Sequence, residues 1–160
     1  MTLAYVGLGA NLGEPSRQLR SALEDLGKLP QTRLTANSGF YRSAPLGYTE
    51  QPDFLNAVAE LQTELSAEAL LEGLQKIELL HGRNRSFKNA PRTLDLDLLL
   101  YGQGSVASAR LTLPHPRMHE RVFVLKPLAE IAPDIAIPGK GKARDLLAAC
   151  KDQSVERIDG

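Results

Sequence analysis

Residues 91–100 read Pro91-Arg92-Thr93-Leu94-Asp95-Leu96-Asp97-Leu98-Leu99-Leu100, and their alternation decides how the rest of the chain is read. On a strand, residues two apart share a face, so Leu94, Leu96 and Leu98 anchor one side in a core. Asp95 and Asp97 then project from the opposite side, ~7 Å apart at the backbone. Aspartate is disfavoured in strands, and like charges at this spacing repel unless a cation sits between them. A hard divalent ion, held by two carboxylates and by substrate phosphates, would relieve both problems. The alternative is a solvated strand face carrying two incidental acids.

Working outward from this strand over 94–101, the other elements fall into order. Residues 3–8 form a short apolar run and read as a buried strand. Pro15 suits the first turn of a helix whose Leu19, Ala22, Leu23 and Leu26 recur at helical spacing, with Gly27 as the stop. Residues 33–41 read as a second strand. Residues 54–65 alternate at Ala57, Ala59, Leu61, Thr63 and Leu65, which predicts a third strand with one solvated face. Ser66 caps a helix with the apolar stripe Leu70, Leu71, Leu74 and Ile77, ending near Gly82. The sequence strand, helix, strand, strand, helix, strand is the split βαβ order of ferredoxin-like folds. The expected fold is therefore α+β, with an antiparallel sheet and helices on one face. The last third adds a short strand near 111–113, a helix around 122–129 and a final helix over 144–150. These are expected to be C-terminal additions within a single domain, 1–160.

Composition narrows the function classes. The 160 residues are 42% hydrophobic and 24% charged, an ordinary globular balance. A single cysteine, Cys150, excludes an intrachain disulfide framework and any cysteine-based zinc site. Nineteen basic residues balance nineteen acidic ones, so salt-driven binding to nucleic acid or to an anionic membrane is not expected. No basic segment precedes an apolar stretch in the first fifteen residues, and no apolar run approaches a membrane span. The expectation is a cytoplasmic monomer.

Against that neutral background, residues 81–92, HGRNRSFKNAPR, hold Arg83, Arg85, Lys88 and Arg92 with no acid. A basic loop beside two acids suits phosphoryl chemistry, where cations stabilise phosphate charge and loop closure excludes water. A solvated loop pairing with Asp95 and Asp97 is the plainer reading. Glu78 shares a helix face with Leu71 and Leu74, and Gln75 precedes it by one turn. The run Gly7-Leu8-Gly9-Ala10-Asn11-Leu12-Gly13 lacks dinucleotide-binding spacing and reads as a tight turn, and no P-loop is present. Arg110, Thr112, His115, Arg117, His119 and Arg121 cluster before Phe123, but Pro116 works against a helical His pair, so zinc is not expected. They form either a phosphate-touching loop or an ordinary polar one. The connection over 43–54 is long for a hairpin. Asn56 stands at the start of the next strand, and Phe54 and Phe123 are candidate walls for a flat ligand.

Lys88-Asn89-Ala90-Pro91-Arg92-Thr93-Leu94-Asp95-Leu96-Asp97-Leu98-Leu99 resembles the signature of the 6-hydroxymethyl-7,8-dihydropterin pyrophosphokinase family, which acts in folate synthesis. Leu8 to Gly13, Phe40-Tyr41-Arg42-Ser43-Ala44-Pro45-Leu46-Gly47, Gln51 to Ala57, Ile77 to Arg83 and Arg110 to Pro116 are similar in order and spacing. The resemblance implies transfer of the β,γ-pyrophosphoryl group of ATP to the pterin hydroxymethyl oxygen, with release of AMP. It further implies that Asp95 and Asp97 hold two magnesium ions and that Arg83 and Arg92 approach the phosphates. Asn56 would read the pterin edge, Phe54 and Phe123 would sandwich its ring, and Ser43, Ala44 and Leu46 would complete that pocket. Gln75, Glu78, Arg85, Leu98, Arg110, Thr112, His115 and Arg121 would line the nucleotide site. Two rival readings are another magnesium-dependent transferase on the same scaffold and a non-enzymatic RNA-binding module.

Overall fold

Strand β1, Thr2–Ala10, lies between two other strands of the main sheet. The computed structural model of the chain describes residues 1–11, 13–43, 53–81, 94–150, 153 and 155–158. β1 runs straight through Gly7 and Gly9, so the glycine run is not the tight turn that its composition suggests. Within that run only Gly13, at a φ of +66°, takes a conformation that favours glycine. Helix α1, Pro15–Gly27, follows, with Leu19, Ala22, Leu23 and Leu26 buried as their spacing requires. The second strand is split into β2, Thr32–Asn37, and β3, Phe40–Ser43. At the break, the Ser38 hydroxyl accepts the Val58 N–H at 2.9 Å, replacing a strand-to-strand bond.

β4, Phe54–Thr63, pairs with β1 along its whole length. Helix α2, Ala67–Leu80, begins at Ser66, whose hydroxyl accepts the Ala69 N–H as an N-cap. β5, Asp95–Tyr101, then returns beside β1. A hairpin of β6, Val106–Ala107, and β7, Thr112–Leu113, precedes helix α3, Val122–Ile131. A second small hairpin, β8, Ala136–Ile137, with β9, Gly141–Lys142, leads into α4, Ala143–Ala149. β10, Glu156–Ile158, closes the chain against β3. The main sheet runs β10-β3-β4-β1-β5 with β2 also on β4, and every pairing is antiparallel. Its β3-β4-β1-β5 core is the ferredoxin-like arrangement.

α1 and α2 cover one face of the sheet, over Ala4, Val6, Leu8, Ala57, Ala59, Leu94, Leu96 and Leu98. α3 and α4 lie on the other, whereas Leu111 and Leu113 of the β6–β7 hairpin join the first core. Val124, Leu125 and Leu128 of α3, with Ala143 of α4, bury Tyr5, Val58, Leu99 and Leu100. For this reason β4 does not keep a solvated face: Asn56 and Val58 are buried along with Ala57 and Ala59. The register between β1 and β5 slips at Tyr5 and Val6, which lets both Leu99 and Leu100 join the second core. α3 is tied to the sheet edge by Glu130, which accepts from the Gly39 N–H and the Tyr41 hydroxyl and lies 3.4 Å from the Arg157 guanidinium. Among the described residues no helix is long and apolar enough to cross a membrane.

Candidate active site

The register of three strands sets the floor of a cleft on the α3 face. Asn56 of β4, Gly9 of β1 and Asp95 of β5 stand in one row, and Val58, Gly7 and Asp97 in the next. With no side chain at Gly7 or Gly9, the cleft opens down to the backbone between the amide and the two carboxylates. A Cβ at Gly9 would stand 3.2 Å from Asn56 Nδ2, closer than almost any such contact. Ser43 donates to Asn56 Oδ1 at 2.6 Å, and both residues are buried. That bond fixes the amide so that its Nδ2 end is turned towards Gly9. Phe54 and Phe123 line the same cleft, giving it two aromatic walls and a hydrogen-bonding edge.

Asp95 and Asp97 leave β5 on one face, as the alternation requires, with Leu94, Leu96 and Leu98 in the opposite core. β5 ends the path of the sheet on one side. Among the described residues, a side chain and a backbone amide hold its outer edge. Glu78, buried on α2, accepts the Leu96 N–H at 2.8 Å, and the His115 N–H reaches Leu99 O at 2.9 Å. The strand that carries the acids is therefore fixed at its midpoint and at its end.

Charge on the rim is graded. Burial, with Arg121 and Arg117 nearby, pushes the His115 imidazole down to about 4, against the pull of Asp95. Its Nδ1 accepts the Arg117 N–H at 3.2 Å, so the neutral ring carries its proton on Nε2. Burial also lowers Arg121, but Asp97 and Asp95 oppose this and it remains a cation. The Arg121 guanidinium lies 5.5 Å from the centroid of the Phe123 ring.

A second cavity adjoins the first and shares Asp97 and His115 with it. Leu98, Arg110 and Thr112 line it, as does the hydroxyl-bearing Ser108. Of the site residues expected from sequence, the first cavity gathers Ser43, Phe54, Asn56, Phe123, Asp95, Asp97, His115 and Arg121. Arg121 thus stands beside the acids and the aromatic wall rather than among the residues of the second cavity. Neither cavity is lined by Gln75, which is exposed on α2, or by Glu78, which lies beneath β5. Ala44, Leu46, Arg83, Arg85 and Arg92 lie outside the described residues. Sequence reasoning missed the floor, Gly7 and Gly9. The available signal was glycine inside a strand, which marks a close approach by a ligand or another backbone.

Asp95 and Asp97 fit magnesium. Among the described residues they are not joined by a third His, Cys, Asp or Glu. One or two carboxylates completed by phosphate oxygens and water are the usual setting of that ion, and both acids open onto a shared cleft.

A ferredoxin-like sheet bearing a polar, aromatic-walled cleft with paired carboxylates forms a small-molecule site. Residues 5–133 match the profile of the 7,8-dihydro-6-hydroxymethylpterin-pyrophosphokinase family, and the chain belongs to that family. It is 49% identical over 156 residues to the 2-amino-4-hydroxy-6-hydroxymethyldihydropteridine pyrophosphokinase of Pseudomonas aeruginosa, covering 98% of this chain and 96% of that one. It is 38% identical over 136 residues to the Folic acid synthesis protein fol1 of Schizosaccharomyces pombe, covering 85% of this chain and 19% of that protein. In fold it is similar to the Plasmodium falciparum HPPK-DHPS structure with pteroate, at a TM-score of 0.74 and 12% identity. That match covers 92% of this chain and 42% of the longer one. The family's activity is pyrophosphoryl transfer to hydroxymethyldihydropterin, a step of folate biosynthesis, and the protein is a diphosphokinase of that kind.

Proposed function

We propose that the donor is magnesium-bound ATP and that the two cavities divide the substrates between them. The pterin lies in the first, between Phe54 and Phe123, with Asn56 at its hydrogen-bonding edge. The nucleotide lies along the second, with Leu98, Arg110, Thr112 and His115. The observation that carries this reading is the sharing of Asp97 and His115 by both cavities, which puts an acid and a neutral donor where the two substrates meet. Gln75, Glu78 and Arg85 are assigned to the nucleotide side, and Ala44 and Leu46 to the pterin side, by family resemblance.

In the transfer, the hydroxymethyl oxygen attacks the β-phosphorus and forms an O–P bond. The bond from the β-phosphorus to the α–β bridging oxygen breaks, AMP departs with that oxygen, and the hydroxyl proton is released. Asp95 and Asp97 would hold magnesium, which when bound neutralises charge on the triphosphate. The chain's own contribution is positioning and electrostatics, since phosphoryl transfer asks for little covalent help from a protein. His115 offers its Nε2 proton as a hydrogen bond without adding charge. Arg121 supplies a cation at the junction, and Arg83 and Arg92 are the further cations assigned to the phosphates. Residues 1–160 act as one pyrophosphokinase domain, as a monomer in the cytoplasm.

Incubation with Mg-ATP and 6-hydroxymethyl-7,8-dihydropterin, followed by separation of the nucleotides, tests the reading. AMP should accumulate in step with pterin diphosphate and require the metal. Accumulation of ADP, or no consumption of ATP, would overturn it.

A further inference from the structure

Helix α3 follows Arg121, an N-cap residue that supplies no side-chain cap. The cap comes from the C-terminal segment instead. Gln153 Oε1 accepts the Val122 N–H at 3.2 Å, and Gln153 Nε2 donates to the Glu120 carbonyl at 2.7 Å. One side-chain amide thus holds the backbone immediately before and immediately after Arg121. We propose that Gln153 is a positioning residue for the transfer, acting through Arg121.

Arg121 joins two helical pieces. The turn over Met118–Glu120 ends on it, α3 begins after it, and its own backbone is extended, at φ −115° and ψ 111°. Such a junction pivots about two soft dihedrals, and a small rotation there moves the tip of a long side chain much further. The tip in this case is the guanidinium that faces Asp95 and Asp97 and stacks on Phe123. The Val122 N–H is one of the donors that a helix start leaves unsatisfied, so the second contact also removes a reason for the first turn to fray. Gln153 touches neither cavity.

This inference rests on the transfer reading above, and the test separates the two. Gln153→Ala should lower kcat/KM for the pterin about tenfold, with Tm lowered by only ~2–6 °C, since one part-buried and one exposed hydrogen bond are lost. Gln153→Glu, which keeps an acceptor for Val122 but has no donor for Glu120, should fall between the two. Arg121→Ala should reduce the rate further, and adding Gln153→Ala to it should change kcat/KM by less than about twofold. If the two effects multiply, Gln153 does not act through Arg121 and the proposal falls. Amide exchange at Val122 in the ligand-free protein reads the strap without substrate. It should be faster in Gln153→Ala, and an unchanged rate would overturn the strap whatever the activity. Should the parent protein transfer no pyrophosphoryl group, the transfer reading fails, while the exchange rates still decide the contact.

Discussion

On the α1/α2 face, β1 presents Ala4, Val6, Leu8 and Ala10, all buried in one apolar cluster. On the α3 face the same strand presents Tyr5, Gly7 and Gly9, a large ring followed by two bare backbones. The neighbouring strands follow the same gradient, from Val58 and Leu100 to Asn56, Asp95 and Asp97. The first of these faces is closed by side chains along β1. The other is core at one end and cleft at the other. The cleft reaches the sheet backbone because two Cβ atoms are absent from β1.

The two faces part most clearly at two adjacent residues of β5. Asp97→Ala should fold with little change in Tm and reduce transfer about a thousandfold or more, because charge stabilisation at the reacting phosphates is lost. Leu96→Ala, one residue away on the closed face and only 4% exposed, should cost about 2–5 kcal/mol of stability. Thermal melts and initial rates on the two variants would check this, and a stability loss in Asp97→Ala like that of Leu96→Ala would erase the distinction.

Glu78 links the faces, since it rises from α2 to hold β5 at the residue between the acids. Glu78→Ala leaves the Leu96 N–H without that acceptor and should cost about 1–3 kcal/mol in denaturant unfolding. Glu78→Gln, still an acceptor, should recover most of it. Gly9→Ala is gentler on the fold and harder on the ligand: its Cβ meets the Asn56 amide, so the pterin KM should rise about tenfold while Tm changes little.

The smallest effect is at the far edge. Burial would raise the Glu130 carboxyl, but the Tyr41 hydroxyl, the Gly39 N–H and Arg157 outweigh it and hold it below its usual value. Burial and Glu130 push the Tyr41 hydroxyl up to about 12. A depressed carboxyl stabilises the fold above its unfolded pKa, near 4.5, and that contribution is lost as pH falls through the folded value. Glu130→Gln should therefore lose about 1 kcal/mol at neutral pH, and the gap in Tm should narrow below pH ~4.5.

The closed face was legible in advance. Helical spacing in 19–26 and 70–77, and alternation in 94–98, each reflect burial against one neighbour, and α1, α2 and β5 form where those patterns place them. The α3 face was not. β4 keeps an alternating sequence but is buried on both sides, because what covers it arrives some sixty residues later. β10 has three residues, two of them charged, and exists only through its pairing with β3. The aspartates, Asn56, Phe54 and Phe123 could be singled out one at a time, yet nothing local to Gly7 or Gly9 ties them to residues on other strands. Pairing register does that, and register is a property of the folded sheet.

On the proposed reading Asp95 and Asp97 hold metal on the open face. Crystals grown with manganese, a non-hydrolysable ATP analogue and 6-hydroxymethylpterin should give anomalous peaks at ~2.1 Å from carboxylate oxygens of both residues. Peaks elsewhere, or both carboxylates turned away from an occupied cleft, would contradict it.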